Sequence, residues 1–281
     1  MTMAATAPSR RDSQASALRP RVLIDTSGDI DALKRVGCTD VLSLSAVGSL
    51  KAELPPGHFV IVDQFIDRSF AREKSFFGDG CVAHVSVAHP VCPRLGDALE
   101  ASARGLGLPV TRGGTYLVME GPQFSSLAES KLYRSWGCDV IGMTNMPEAK
   151  LAREAELCYA TVAMVTDFDC WHPGHDHVTV EDVVRVLLAN ADKARALVKS
   201  VVPALHDRPE ACGKGCDHAL EHAARHDRLR ERFGRLARRL RAGVVEVRQH
   251  RREGISQVVR DETEQLRQRV GGREFRHGAR R

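Results

Sequence analysis

Apolar residues in this chain fall in short blocks divided by turn residues, and the spacing within the blocks changes along the sequence. Cys158–Thr166 is apolar without alternation, which predicts a central strand buried on both faces. Asp40–Ala46, Phe59–Asp63, Thr115–Met119 and Val140–Met143 predict further strands, with Val47-Gly48-Ser49 a tight turn after the first. Val82–Ala88 predicts another, ahead of the punctuation at Pro90 and Pro93. Helices are predicted over Ile30–Val36, Gly96–Gly105, Leu127–Trp136 and Pro147–Glu156, the last with proline near its start, where a missing N–H costs nothing. Val180–Val202 carries apolar residues at Val183, Val184, Leu187, Leu188, Ala191 and Ala194, a helical period. Strands and helices that alternate in this way predict an α/β fold, a sheet flanked by helices.

The ends of the chain differ from its middle. Residues 1–21 are rich in Ala, Ser and Arg, lack an apolar block of signal-peptide length, and read as a disordered leader. After Pro203 the pattern changes: Leu229, Phe233, Leu236 and Leu240 keep helical spacing among many arginines. This stretch reads as a solvated extension; a basic helix for nucleic acid or an acidic membrane is the alternative. With 281 residues, 43% apolar and 27% charged, the chain can bury a sizeable core. The net charge of +5 gathers mostly after Ala224, so it describes the extension and carries no information about a pocket. No apolar run approaches the roughly 18 residues of a membrane span, and the protein reads as cytoplasmic. Most of the eight cysteines sit beside apolar residues, as small buried side chains that stay reduced in the cytosol. Cys212 and Cys216 form a C-x3-C pair near His218 and His222, a weak zinc signal because such sites normally take four ligands. His172, His175 and His177 with Asp176 also suggest a metal. The reading adopted assigns no metal at either place.

The candidate chemistry lies where apolar runs end. Thr115–Met119 stops at Glu120, a Gly121-Pro122 turn follows, and then come Phe124, Ser125 and a helix start. Cys158–Thr166 runs into Asp167-Phe168-Asp169. Ligand sites in α/β proteins form at such strand ends. A flat ring can stack on Phe124, Ser125 can read its edge, and a carboxylic acid beside apolar residues can have a raised pKa and act as a general acid. Asp167 and Asp169 share one side of an extended backbone. These segments suggest a pocket for a nitrogen heterocycle with an acid beside it. Read without that context, Asp167 would cap a turn and Phe124 would be a core residue.

Five stretches carry a resemblance: Leu44-Ser45-Ala46-Val47-Gly48-Ser49-Leu50, Val62-Asp63-Gln64-Phe65-Ile66-Asp67-Arg68, Glu120-Gly121-Pro122-Gln123-Phe124-Ser125-Ser126, Gly142-Met143-Thr144-Asn145-Met146-Pro147-Glu148 and Thr166-Asp167-Phe168-Asp169-Cys170-Trp171. In type, order and spacing they resemble the methylthioadenosine phosphorylase family, a branch of the trimeric purine nucleoside phosphorylases. The resemblance implies a twisted mixed β-sheet flanked by helices, with no cofactor and phosphate as co-substrate. It also implies that S-methyl-5'-thioadenosine is split into adenine and methylthioribose 1-phosphate. Asp167 would be the general acid at the purine, with Phe168 and Asp169 beside it. Phe124 and Ser125 would hold and read the base. Met143 would pack on the ribose. Ser45, Ala46 and Thr144 would bind phosphate, aided by the close backbone approach that Gly48 permits. Val180, Val183 and Val184 would line the 5' substituent, and His84 would come from a neighbouring subunit of a homotrimer.

The resemblance runs from about Ile30 to residue 222, so residues 1–29 are expected to be a disordered or unrelated leader, 30–222 an incomplete phosphorylase domain, and 223–281 a basic helical or disordered extension. A Gly-rich phosphate turn and an Arg-His pair of the family are not visible. The opening strands of the sheet are therefore expected to be missing and the phosphate site weakened. Purine nucleoside or methylthioinosine phosphorolysis, a non-catalytic purine-binding remnant, and a nucleic-acid role for the tail are the competing functions.

Overall fold

The computed structural model describes residues 22–25, 30–77, 82–173, 180–205, 212–221 and 223; for residues 22–25 and Val180 only the backbone is described. Residues 1–21, the His175-Asp176-His177 cluster, His222 and the Arg-rich stretch from 224 onward lie outside the described residues.

Within them the strands are β1 (Val22–Asp25), β2 (Asp40–Ser49), β3 (Phe59–Ile61), β4 (Gln64–Asp67), β5 (Val110–Arg112), β6 (Thr115–Val118), β7 (Val140–Gly142) and β8 (Cys158–Phe168). The helices are α1 (Ile30–Arg35), α2 (Pro93–Gly105), α3 (Leu127–Ser135), α4 (Glu148–Glu154) and α5 (Val180–Leu205). The strands join one mixed sheet in the order β4-β6-β7-β2-β8-β3-β5, with β1 also paired to β2. The expected α/β fold, a mixed sheet flanked by helices, is present.

β2 and β8 form the centre. They run parallel from Asp40↔Cys158 to Ser49↔Phe168. β8 is buried through its first nine residues, which explains its apolar sequence without alternation. Its pleat sends residues to two cores. Tyr159, Ala163 and Val165 face a core with α1 and α4 side chains such as Leu33, Ala149 and Ala152. Cys158, Ala160, Val162 and Met164 face a second core with Leu95 and Leu99 of α2 and Ala194, Leu197 and Val201 of α5. Each helix therefore needs only one apolar stripe, while the strand between them needs two.

The structure corrects four expectations. Val47-Gly48-Ser49 is not a turn. β2 continues through Ser49 because Gly48 and Ser49 are paired on both sides, to Ile141 and Val140 of β7 and to Asp167 and Phe168 of β8. Val82–Ala88 alternates but joins no ladder; Val82 and Val87 are exposed, and the segment is held by contacts such as Gln64 Nε2 to the Ala88 carbonyl (3.2 Å). The strand expected over Phe59–Asp63 is present as β3 but ends two residues early. β3 stops at Ile61, and β4 starts at Gln64 on the far side of the sheet, after Asp63 and Gln64 donate to the Gly114 carbonyl. Finally, the leader assigned to residues 1–29 does not hold at Val22–Asp25, which pair in parallel with Asp40–Ser43. β7 covers that side of β2 only at Gly48 and Ser49, so the other end of the strand has backbone groups that β1 satisfies. One of the sheet's early strands is thus present.

Asp67, at the end of β4, ties three segments together. It accepts hydrogen bonds from Ser69 Oγ (2.5 Å), Lys74 Nζ (2.9 Å) and Lys150 Nζ of α4 (2.5 Å). Burial pushes its carboxyl upward, but the bonds from Lys150, Ser69 and Lys74 outweigh burial and hold it well below the usual carboxylate range. A group depressed in the folded state stabilises the fold above its unfolded pKa, about 3.9 for Asp. That contribution is lost as pH falls from there through the folded value. Asp67→Asn is therefore expected to flatten the decline in stability below about pH 4. Urea midpoints measured across the acid range check this, and parallel curves for variant and parent would refute it.

Candidate active site at the ends of two parallel strands

The ten-residue match of β2 to β8 is broken once. Val47 pairs with Val165 and Gly48 with Asp167, so Thr166 is the extra residue of a bulge. Bulges bend a strand and re-aim its side chains. The Thr166 hydroxyl lies 3.1 Å from the Val47 carbonyl and 2.6 Å from Asp167 Oδ2. Asp167 and Asp169 converge on Gly48. A Cβ on Gly48 would stand 3.5 Å from Asp167 Oδ1, 3.6 Å from Asp169 Cβ and 3.3 Å from Ile141 Cγ2. The tight neighbour is Ile141; the two aspartates stand at ordinary contact distance. Asp169 Oδ2 is buried and without a hydrogen-bond partner. An unmet buried acceptor is costly, so this oxygen is suited to receive a donor from a ligand.

A second polar group stands three residues back along β2. Ser45 Oγ is 2.6 Å from Thr144 Oγ1 and 3.1 Å from the Tyr116 hydroxyl, and Tyr116 and Thr144 are 3.3 Å apart. The middle of β2, the start of β6 and the turn after β7 thus contribute one triangle of hydroxyls. Burial pushes the Tyr116 phenol up, so it remains a neutral donor. Hydroxyl protons rotate, and three together can turn toward an oxyanion. At roughly 3.3 Å per residue, this triangle and the carboxylates are about 10 Å apart along β2. Ala46, between them, is exposed.

The turn after β6 packs against the same region. Cys170 Sγ donates to the Ser125 carbonyl at 3.5 Å, and Ser125 Oγ lies 3.9 Å from Met119 Sδ. Ser125 is therefore bonded to a residue three positions along the chain from Asp167. Trp171 Nε1 donates to the Ser49 carbonyl (2.8 Å), and Phe168 stacks on His172 at 4.3 Å between ring centroids. Gly121, with φ of 73°, lets Met143 approach; its Sδ would meet a Cβ there at 2.6 Å. Ser126 begins α3 through a capping box with Glu129.

Sequence reading had no signal for the residue that joins these turns. Arg72 donates from Nη1 to the carbonyls of Met143 (2.8 Å) and Met146 (2.5 Å), and from Nη2 to those of Met119 (3.2 Å) and Glu120 (2.7 Å). Glu120 Oε2 lies 3.6 Å from Arg72 Nε and accepts the N–H of Phe70 at 2.8 Å. That bond, against a smaller effect of burial, holds Glu120 below the usual range. Tyr116 and Thr166 were missed as well, although a tyrosine inside an apolar strand always needs a partner for its hydroxyl.

The structure brings Ser45, Gly48, Ser125, Met143, Thr144, Asp167, Phe168 and Asp169 to neighbouring strand ends. It does not bring all candidates there. Phe124 is 85% exposed and stacks on no described ring. Val183 is half-buried and Val184 exposed on α5, and the described contacts join neither to the aspartates. His84 is exposed, beside Lys74, Lys150 and Glu154. Val180 lies in the first turn of α5.

Residues 22–203 match the phosphorylase superfamily. The chain belongs to that superfamily. Over 200 residues it is 68% identical to S-methyl-5'-thioadenosine phosphorylase of Rhodospirillum rubrum, covering 71% of this chain and 68% of that one. It is 64% identical over 195 residues to the protein of that name in Cereibacter sphaeroides, covering 69% and 67%. Among solved structures, a methylthioadenosine phosphorylase from an Antarctic soil metagenomic library matches with TM-score 0.67 and 42% identity, over 77% of this chain and 75% of the other. The Schistosoma mansoni methylthioadenosine phosphorylase in complex with adenine matches with TM-score 0.64 and 33% identity, over 68% and 74%. The match begins at Val22, the first residue of β1, which places that strand with the superfamily domain.

Arg72→Met removes four donors from turns whose carbonyls have formed around them. A stability loss of about 1–3 kcal/mol is expected, readable as a lower urea midpoint. An unchanged midpoint would show that water replaces the guanidinium without cost.

Proposed function

We propose that this phosphorylase-superfamily chain splits S-methyl-5'-thioadenosine with inorganic phosphate, releasing adenine and methylthioribose 1-phosphate. The observation that carries the reading is the pair Asp167 and Asp169 around Gly48, with one buried Asp169 oxygen awaiting a donor. A 6-aminopurine supplies both complements. Its N7 accepts a proton from Asp167, and its exocyclic amine donates to Asp169. Ser125 adds an edge contact, and Phe124 covers the ring face once bound. Phe168 lines the same end.

In this scheme a phosphate oxygen forms a bond to C1' as the C1'–N9 bond breaks. The bonding electrons pass into the purine, and the proton from Asp167 on N7 neutralises it. Thr166 positions Asp167: its hydroxyl donates to Oδ2, which leaves Oδ1, the oxygen beside Gly48, to carry the proton that passes to N7. The Ser45 and Thr144 hydroxyls hold the phosphate, with Tyr116 bracing them and the exposed Ala46 leaving its approach open. Met143 packs on the ribose, and Val180, Val183 and Val184 receive the methylthio group. No cofactor takes part.

The working form in this proposal is a cytoplasmic homotrimer, with His84 serving a neighbouring copy. Exposed Phe70, Phe124, Leu127, Trp136 and Val184 support burial against further copies. None of the described helices is long and apolar enough to cross a membrane.

Adenine release from methylthioadenosine and phosphate is the direct test. Asp167→Asn is expected to lower kcat by about 10²–10⁴-fold, as losing a general acid does, while adenine affinity changes far less. Adenine binding without phosphate-dependent release in the parent chain would leave a purine-binding module instead.

Base choice gives a separate test. Hypoxanthine presents a carbonyl where adenine has its amine, and a mismatched buried group costs about 1–3 kcal/mol. Adenine is expected to bind roughly 5- to 150-fold more tightly in calorimetric competition. Tighter hypoxanthine binding would transfer the reading to methylthioinosine or inosine-type substrates.

A further inference from the structure

Far from the strand ends that hold the aspartates, four cysteines meet. Cys92, Cys158, Cys212 and Cys216 are all buried, and their sulfurs lie within 4.8 Å of one another. The Cys92 and Cys212 sulfurs are 3.9 Å apart. A tetrahedral zinc site with Zn–S bonds of about 2.3 Å has sulfur–sulfur edges of about 3.8 Å. We propose that these four cysteines bind one zinc ion in a closed tetrathiolate site that fastens the segment from Cys212 to Ala223 onto the phosphorylase sheet.

Three separate parts of the chain supply the ligands. Cys92 is the N-cap of α2, where its side chain makes no capping hydrogen bond. Cys158 opens β8. Cys212 and Cys216 come from one tight loop. There the Gly215 N–H donates to the Cys212 carbonyl at 2.8 Å, and Gly215 adopts the left-handed conformation with φ of 69°. Asp217 Oδ2 accepts the Cys212 N–H at 2.7 Å. The loop is thereby closed on itself with both thiols on the core side. The spacing C-x3-C is within the range of zinc-binding pairs, and the two distant cysteines complete the set of four.

The surroundings suit an anionic centre. Zinc with four thiolates carries a net charge of −2. The positive end of α2 points at Cys92, and helix N-termini favour negative charge. The Arg94 guanidinium, two residues after Cys92, pairs with the buried carboxylate of Asp40. Four cysteines in an apolar core could also be plain packing residues, but packing gives no reason for four sulfurs from three segments to converge on one point.

All four positions of the tetrahedron are filled by protein, which marks the site as structural. It stands at the Cys158 end of β8, nine residues from Asp167, about 30 Å along the strand. The site therefore does not rest on the phosphorolysis reading. Its mechanical effect would be to anchor a segment that otherwise holds by few polar contacts, among them Leu220 N–H to Glu156 Oε1 (3.2 Å) and His84 N–H to the Ala223 carbonyl (3.3 Å).

The test uses the full chain, without a histidine tag, purified from zinc-supplemented cells in a phosphine reductant. Elemental analysis after exhaustive dialysis is expected to give about one zinc per chain. Titration with an organomercurial should release the zinc as the thiols react. Cobalt substitution should give the thiolate-to-metal charge transfer and the intense visible bands of a tetrahedral tetrathiolate. The double variant Cys212→Ser, Cys216→Ser should lose the zinc, and limited proteolysis should then remove the segment after Leu205. If that variant fails to fold, the cobalt spectrum of the parent chain still decides. Dialysed parent protein with less than about a tenth of an equivalent of zinc and no tetrathiolate cobalt spectrum would overturn the proposal. Intact mass of chain purified without reductant then separates the remaining states: unchanged mass means packed free thiols, and a loss of two hydrogens per bridge means disulfides.

Discussion

The pairing of β2 with β8 is the constraint on which everything else in this domain depends. These strands are the longest in the sheet, ten and eleven residues, and they run in parallel register over their full length. Parallel neighbours end on the same side. The Ser45–Gly48 hydroxyl and backbone groups and the Asp167–Asp169 carboxylates, more than a hundred positions apart in sequence, are therefore adjacent by topology. Each strand presents one face to α1 and α4 and the other to α2 and α5, so a shift of register by one residue would place Tyr159 among the residues of the second core and Cys158 in the first. Burial of both faces locks the register, and the register locks the site.

The irregularities near the strand ends are where that regular frame turns into a site. The bulge at Thr166 changes the match so that Gly48 pairs with Asp167, and Asp169 stands beside the same glycine. The turns after β6 and β7 lack a ladder of their own. Their carbonyls at Met119, Glu120, Met143 and Met146 are instead collected by a single guanidinium, that of Arg72. A planar donor fork can serve several carbonyls at once in fixed directions, which an ammonium on a flexible stem does less well. The sheet fixes the strands of the site, and Arg72 fixes the turns that leave them.

The fold was readable where a pattern repeats over many residues. β8 and the helix α5 were evident from their apolar spacing alone. β5, three residues including a threonine and an arginine, offers no period to read, and Val82–Ala88 alternates well but has no strand to pair with. Propensity without a partner does not make a strand. Gly48 read as a turn because glycine usually marks one; the tight approach of Ile141 from β7 is a tertiary fact. Among the site residues, the aspartates and Ser125 were legible at the ends of apolar runs, and Ser45 and Thr144 became legible through family resemblance. Arg72 was not, because its partners are backbone carbonyls that no sequence pattern marks. The cysteine cluster was half legible: the C-x3-C pair is visible, but Cys92 and Cys158 are distant from it and from each other in sequence.

The two ends of the central strand pair carry different chemistry. At the Asp167 end of β8, groups are left exposed or short of partners: Phe124 open to solvent, Ala46 uncovered, an Asp169 oxygen unmet. At the Cys158 end the groups are closed over: Asp40 is fully buried and ion-paired to Arg94, Glu156 is buried and accepts Leu220, and four thiols face one another. In an open α/β sheet, ligands bind beyond the carboxyl ends of the strands, and the amino ends of β2 and β8 are left to hold the fold. Unmet polar groups cost stability wherever they occur. The closed end carries one too: Arg94 Nε is buried without a hydrogen-bond partner among the described residues. The buried ion pair, the backbone bond to Glu156 and the cysteine cluster sit at the Cys158 end, so the ties that close the fold and the groups left open beside Asp167 occupy opposite ends of one strand pair.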